Sequence, residues 1–73
     1  MLYRVEYNNG SCAYATNYSE LARLLNCTCE GARKLVMRIK DIGQRAVLRS
    51  TIATRNQVEN IVIIDETILN FDK

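Results

Sequence analysis

Residues 18–39 read YSELARLLNCTCEGARKLVMRI, and two helices joined by a tight turn account for the whole stretch. Asn17, just ahead of it, is a good helix cap, and Glu20 three residues on resembles the reciprocal partner of a capping box. The first helix is expected from Tyr18 to about Leu25, with Leu21, Leu24 and Leu25 on its apolar side. Asn26 suits the stop, because Asn enters the left-handed conformation more easily than most residues. Thr28 can cap a second helix, and Glu30 in its first turn favours the positive end of the helix dipole. Ala32, Leu35, Val36 and Ile39 fall at i, i+3, i+4 and i+7, the stripe of a helix packed on one side. Glu30, Arg33, Lys34, Met37 and Arg38 lie on other sides, with Glu30 and Lys34 spaced to pair. Asp41-Ile42-Gly43 ends the helix.

On the N-terminal side, residues 2–7 alternate as a half-buried strand does, with Tyr3, Val5 and Tyr7 facing one way and Arg4 and Glu6 the other. Asn8-Asn9-Gly10 follows, and Asn-Gly is the strongest short hairpin signal because both residues tolerate positive φ. Residues 11–15 then read as the returning strand. On the C-terminal side, residues 46–53 are rich in β-branched side chains, and residues 61–64 are an intensely β-prone Ile-Val-Ile-Ile run. The polar stretch Thr54-Arg55-Asn56-Gln57 suits the tip of a second hairpin between them. One long helix over residues 45–64 is the competing reading. Asp65 is placed to cap a last short turn ending near Phe71. The expected order is β-β-α-α-β-β, an α+β fold occupying residues 1–73 as one small domain.

At 73 residues and 8.4 kDa there is room for one core only, stabilised by a few kcal/mol. The chain has no Pro, Trp or His, so the commonest general base and metal ligand is missing. Ser19, Ser50 and the thiols therefore lack a His partner, and Asp65-Glu66 reads as a capping pair rather than an acid–base dyad. No catalytic residue and no enzymatic activity are expected. Three Cys cannot all pair within one chain, which agrees with a reducing compartment. A metal site from Cys12, Cys27 and Cys29 would lack a fourth ligand, so buried free thiols are the simpler reading, with no metal or cofactor. No apolar run approaches the ~18 residues of a membrane span. The first residues lack the apolar stretch of a secretory signal, so a cytoplasmic protein is expected, nucleoid-associated if it binds DNA.

Net charge is only +2, yet the charge is unevenly placed. Residues 33–55 hold Arg33, Lys34, Arg38, Lys40, Arg45, Arg49 and Arg55 against Asp41 alone, a local +6, while the remaining residues total −4. Such a block makes a positive surface of the kind phosphate binding requires. A face of solvated charges would do as well with Lys, but five of the seven are Arg, the preferred residue for phosphate and guanine contacts.

Residues 18–39 resemble the helix-turn-helix of DNA-binding proteins. Ala22 is the small residue where the second helix crosses, Asn26 stands where that motif usually has Gly, and Cys27 fills the apolar slot after the turn. Ala32 and Leu35 correspond to the buried pair facing Leu21 and Leu25, with Ala32 where Val or Ile is common. With a β-hairpin following, the whole is similar to a winged-helix domain of a small phage- or plasmid-type regulator. The resemblance implies a second helix in the major groove, exposing Thr28, Cys29, Glu30, Arg33, Lys34, Met37 and Arg38. Arg33 or Lys34 would then read guanine, Glu30 cytosine and Met37 a thymine methyl, while Arg45, Arg49 and Arg55 grip the backbone. The implied function is sequence-specific double-stranded DNA binding in transcriptional repression or regulation. A homodimer is expected, because one recognition helix covers few base pairs. Residues 61–64 with Ile68, Leu69 and Phe71 offer it an apolar patch. The alternative is a small anti-CRISPR-like inhibitor that uses the basic face to block a larger nucleic-acid-handling protein. RNA binding would need stacking aromatics on an exposed sheet, whereas Tyr3 and Tyr7 are expected in the core.

Overall fold

The computed structural model describes residues 1–64. Strand β1 (Leu2–Tyr7) leads through a tight loop to β2 (Cys12–Ala15), then helices α1 (Tyr18–Leu25) and α2 (Cys29–Ile42). Two short helices, α3 (Arg45–Leu48) and α4 (Thr51–Arg55), precede β3 (Val58–Ile64). The strands form one antiparallel sheet in the order β2-β1-β3, so β1 is central. The fold is therefore a small α+β arrangement, as expected.

Alternation in β1 works as read: Tyr3 and Val5 are buried, and the Tyr7 hydroxyl donates to the Leu24 carbonyl at 3.3 Å. Tyr3 also stacks on Tyr18 of α1, ring centroids 5.9 Å apart, which ties the sheet to the first helix. The hairpin loop spans three residues rather than two. Tyr7 N–H donates to the Ser11 carbonyl and Gly10 N–H to the Tyr7 carbonyl, with only Gly10 at positive φ, +89°. Asn9 acts through its side chain instead, accepting from Ser11 N–H at 2.9 Å.

The helix signals act where they stand in the sequence. Asn17 Oδ1 accepts from Glu20 N–H at 2.8 Å, capping α1. Glu20 Oε1 reaches back to Thr16, accepting from its N–H and its hydroxyl at 2.7 Å each, one residue earlier than a capping box would place it. Those bonds hold the Glu20 carboxyl below its ordinary pKa. Asn26 closes α1 in the left-handed region, φ 52° and ψ 51°, and Cys27 N–H returns to the Ala22 carbonyl. Thr28 Oγ1 accepts from Gly31 N–H at 3.0 Å to start α2, and Gly43 at φ +76° ends it. Ala32, Leu35, Val36 and Ile39 are all buried, so α2 is fixed by the stripe its spacing indicated.

Residues 45–57 depart from expectation. Residues 46–53 form no strand and residues 54–57 no hairpin tip; α3 and α4 occupy the stretch instead. Ser50 breaks it in two, its Oγ accepting from Ala53 N–H at 3.2 Å as the cap of α4. Asn56 then holds the end of α4, its Nδ2 donating to the Leu25 carbonyl at 2.6 Å and the Ile52 carbonyl at 2.9 Å. Gln57, at φ +59°, turns the chain into β3. The single long helix over residues 45–64 is excluded by the same features. Residues 61–64 are a strand, but the partner is β1, with Val5 opposite Ile61 and Tyr3 opposite Ile63. No C-terminal hairpin, and so no wing, exists among the described residues. The turn from Asp65 to Phe71 lies outside the described residues.

β3 is an edge strand, and its exposed backbone at Ile61 is covered by a side chain. Gln44 Nε2 donates to the Ile61 carbonyl at 2.7 Å, and Gln44 Oε1 accepts from the Ile61 N–H at 3.2 Å. The amide reproduces the donor–acceptor pair of a neighbouring strand and blunts the edge. Gln44→Ala is expected to lower stability by about 1 kcal/mol, since water replaces the lost bonds only in part. Urea unfolding measures that loss, and faster hydrogen exchange at the Ile61 amide places it. An unchanged Ile61 exchange rate would show that the amide does not protect the edge.

Candidate nucleic-acid interface

With its inner stripe held against α1 and α3, α2 leaves Cys29, Glu30, Lys34, Met37 and Arg38 exposed. Thr28, just before it, is exposed too, with its hydroxyl committed to the cap. Successive residues turn by about 100° around a helix, so the cations divide between two flanks. Arg33 and Lys40 lie on one, Lys34 and Arg38 on the other, with Glu30 and Met37 on the crest between them.

The two flanks differ chemically. Arg33 is half-exposed and engaged: its Nε donates to Glu30 Oε1 at 3.0 Å, and a second guanidinium nitrogen pairs with Oε2. The remaining nitrogen meets Met37 Sδ at 3.0 Å. Arg33, rather than Lys34, is thus the partner of Glu30. The bond to Arg33 holds the Glu30 carboxyl below its ordinary range, and the charges of Arg33 and Lys34 add to the effect. The same bond raises the guanidinium of Arg33 above its usual value. Glu30, Arg33 and Met37 form one connected group on the outside of α2, with donors and an acceptor in fixed relation.

On the other flank, Lys34 and Arg38 face the α3–α4 connection across a groove of about 370 Å³. Arg49, Ser50, Thr51 and Ile52 form its far wall. Gly31 keeps the groove narrow at one end, where an added Cβ would lie 3.3 Å from Thr28 Oγ1 and 3.5 Å from Ile52 Cδ1. Arg45 opens α3 and Arg55 closes α4; both are exposed, and neither lines the groove. The β-branched pattern of residues 46–53 predicts Arg49 on a strand, and spacing along the chain carries no sign that it would meet Lys34 and Arg38.

The three thiols are separate in character. Cys12 on β2 and Cys29 on α2 are exposed, while Cys27 is partly buried against the core. Burial pushes the Cys27 thiol above its ordinary pKa, and the nearby positive charge of Arg55 opposes that only in part. Among the described residues, no group of three or more Cys, Asp or Glu stands close enough to hold a metal ion. No helix among them is long and apolar enough to cross a membrane. Tyr3 is in the core as expected, Tyr7 packs against it, and Tyr14 stands 55% exposed on the outer face of the sheet. Comparison with protein-family models, with curated proteins and with solved structures finds no match to this chain.

Proposed function

We infer that this protein binds double-stranded DNA sequence-specifically, as a regulator of transcription, with α2 as the helix that enters the major groove. One observation carries the reading. α1 and the Asn26 turn hold a 14-residue helix by its buried stripe, so that its crest and the flank carrying Arg33 are turned outward. The crest and that flank offer the chemistry of base edges: the Arg33 guanidinium for guanine, the Glu30 carboxylate for cytosine, and Met37, 54% exposed, for a thymine methyl. Arg45 and Arg55, on the short helices, supply charge for phosphates to either side.

The reading includes a homodimer on two half-sites, since one such helix contacts too few base pairs for strong discrimination. The apolar patch expected for it changes in part. Ile61 is wholly buried in the core, Val62, Ile63 and Ile64 are half-buried, and Ile68, Leu69 and Phe71 lie outside the described residues.

Selection from a random duplex library tests the reading. The expected result is a selected site bound at least ~100-fold better than random DNA, a modest figure for a specific binder. Affinity equal for all duplexes would overturn it and favour the protein-directed inhibitor, whose basic face needs no preferred sequence.

A further inference from the structure

Lys34 and Arg38 on α2 and Arg49 at the end of α3 converge on one groove although the third comes from a separate stretch of chain. Leu35 and Ile52 add apolar side chains to its lining, and Ser50 and Thr51 complete the wall beside Arg49. Among the described residues, no carboxylate lines it. Neither Arg38 nor Arg49 has an ion-pair partner among the described residues, in contrast to Arg4 and Arg33, which are paired with Glu6 and Glu30. Three like charges held along one groove repel one another, and an anion seated between them relieves the repulsion. The two guanidinium groups match the paired oxygens of a phosphodiester, and the ammonium adds a compact charge beside them.

We propose that this groove is a clamp for a single backbone phosphate of the duplex. The inference rests on the DNA-binding reading and deepens it: Arg49 supplies, from the α3–α4 turn, the backbone anchor expected of a C-terminal hairpin. It also gives Lys34 a different role from Arg33. Lys34 and Arg38 position α2, while discrimination falls to the Glu30–Arg33–Met37 group on the crest and opposite flank.

Two measurements on the full chain test the clamp. In the first, inorganic phosphate is titrated against the free protein by NMR, with chloride at equal ionic strength as control. Saturable shifts of the Gly31, Ser50 and Thr51 amides are expected, and Arg49→Glu should remove them. Shifts spread over the whole surface, or equal with chloride, would overturn the clamp. In the second, Lys34→Ala, Arg38→Ala and Arg49→Ala are compared singly and together on selected and random duplexes. All three side chains are exposed, so the circular dichroism should not change and the melting temperature should not fall.

Each single variant should weaken both duplexes alike, by roughly 3- to 10-fold, because phosphate contacts carry no sequence information. The triple variant should flatten the slope of log K against log salt by about one, the share of one phosphate. A change near three would assign the cations to three phosphates and overturn the single clamp. A Lys34→Ala loss confined to the selected site would overturn it as well, by making Lys34 a base reader. Saturable phosphate shifts without duplex affinity would support the groove while overturning the DNA reading. Duplex affinity with an unchanged slope in the triple variant would overturn the groove and leave the DNA reading standing.

Discussion

Leu21→Ala is expected to leave the protein largely unfolded at 37 °C. Leu21 is wholly buried, and it is among the largest side chains that are. It stands on α1, which packs on both α2 and β2 and so joins the helices to the sheet. Truncating such a residue removes the transfer free energy of its methyl and methylene groups and leaves a cavity, together about 2–5 kcal/mol. A domain of this size has only about 3–5 kcal/mol to lose. No disulfide relieves the deficit, because all three Cys are free. Arg23→Ala, two residues further and exposed, is the control and should change stability by less than about 0.5 kcal/mol. Urea unfolding followed by circular dichroism at several temperatures separates the two. A loss below about 1 kcal/mol for Leu21→Ala would mean that α1 does not join the sheet and α2 through this side chain.

The elements that were legible from the residues are those whose instructions are local. Asn17, Asn26, Thr28 and Gly43 each bond within four residues of themselves, and the hairpin of residues 16–43 follows from them. Even Glu20 does what a capping partner does, displaced by one residue to Thr16. Residues 45–57 failed for the opposite reason. Val47, Thr51 and Ile52 favour a pleated surface, but such a preference is weak and yields to packing and caps. Here Ser50 caps from within, while Gln44 and Asn56 bond to Ile61 and Leu25, residues 17 and 31 positions away. β3 was legible as a strand and illegible as the partner of β1. The pair Glu6–Asn60 lies 54 residues apart in the chain, and an Ile-Val-Ile-Ile run carries no record of which strand it will meet. The candidate site divides in the same way. The number of cations could be counted, but whether each turned toward Glu30, toward Arg49 or to solvent depended on helix phase and on where α3 falls.

That division of charge sets the size of the salt effect, the largest expected on binding. Net charge alone, at +2, gives a weak and diffuse attraction to DNA. The cations of residues 33–55 act at short range, and their carboxylate neighbours decide how many are free to meet phosphates. Arg33 is occupied by Glu30, whereas Lys40, although next to Asp41 in the chain, has no ion-pair partner among the described residues. Lys34, Arg38, Lys40, Arg45, Arg49 and Arg55 remain on exposed positions. With Lys34, Arg38 and Arg49 sharing one phosphate and Lys40, Arg45 and Arg55 meeting one each, about four phosphates per subunit are neutralised, and log K for each half-site should fall against log salt with a slope near −4. Between 50 and 200 mM salt, affinity for each half-site should therefore drop roughly 250-fold. Fluorescence anisotropy of a labelled duplex across that range measures it directly. Released counterions are the source of the slope, so it should be nearly the same on selected and random DNA, while the affinities themselves stay apart. A slope shallower than about −2 would correspond to two phosphates or fewer, too few for α2 to be held in a groove by its cationic side. The basic face would then have to meet a surface other than a duplex.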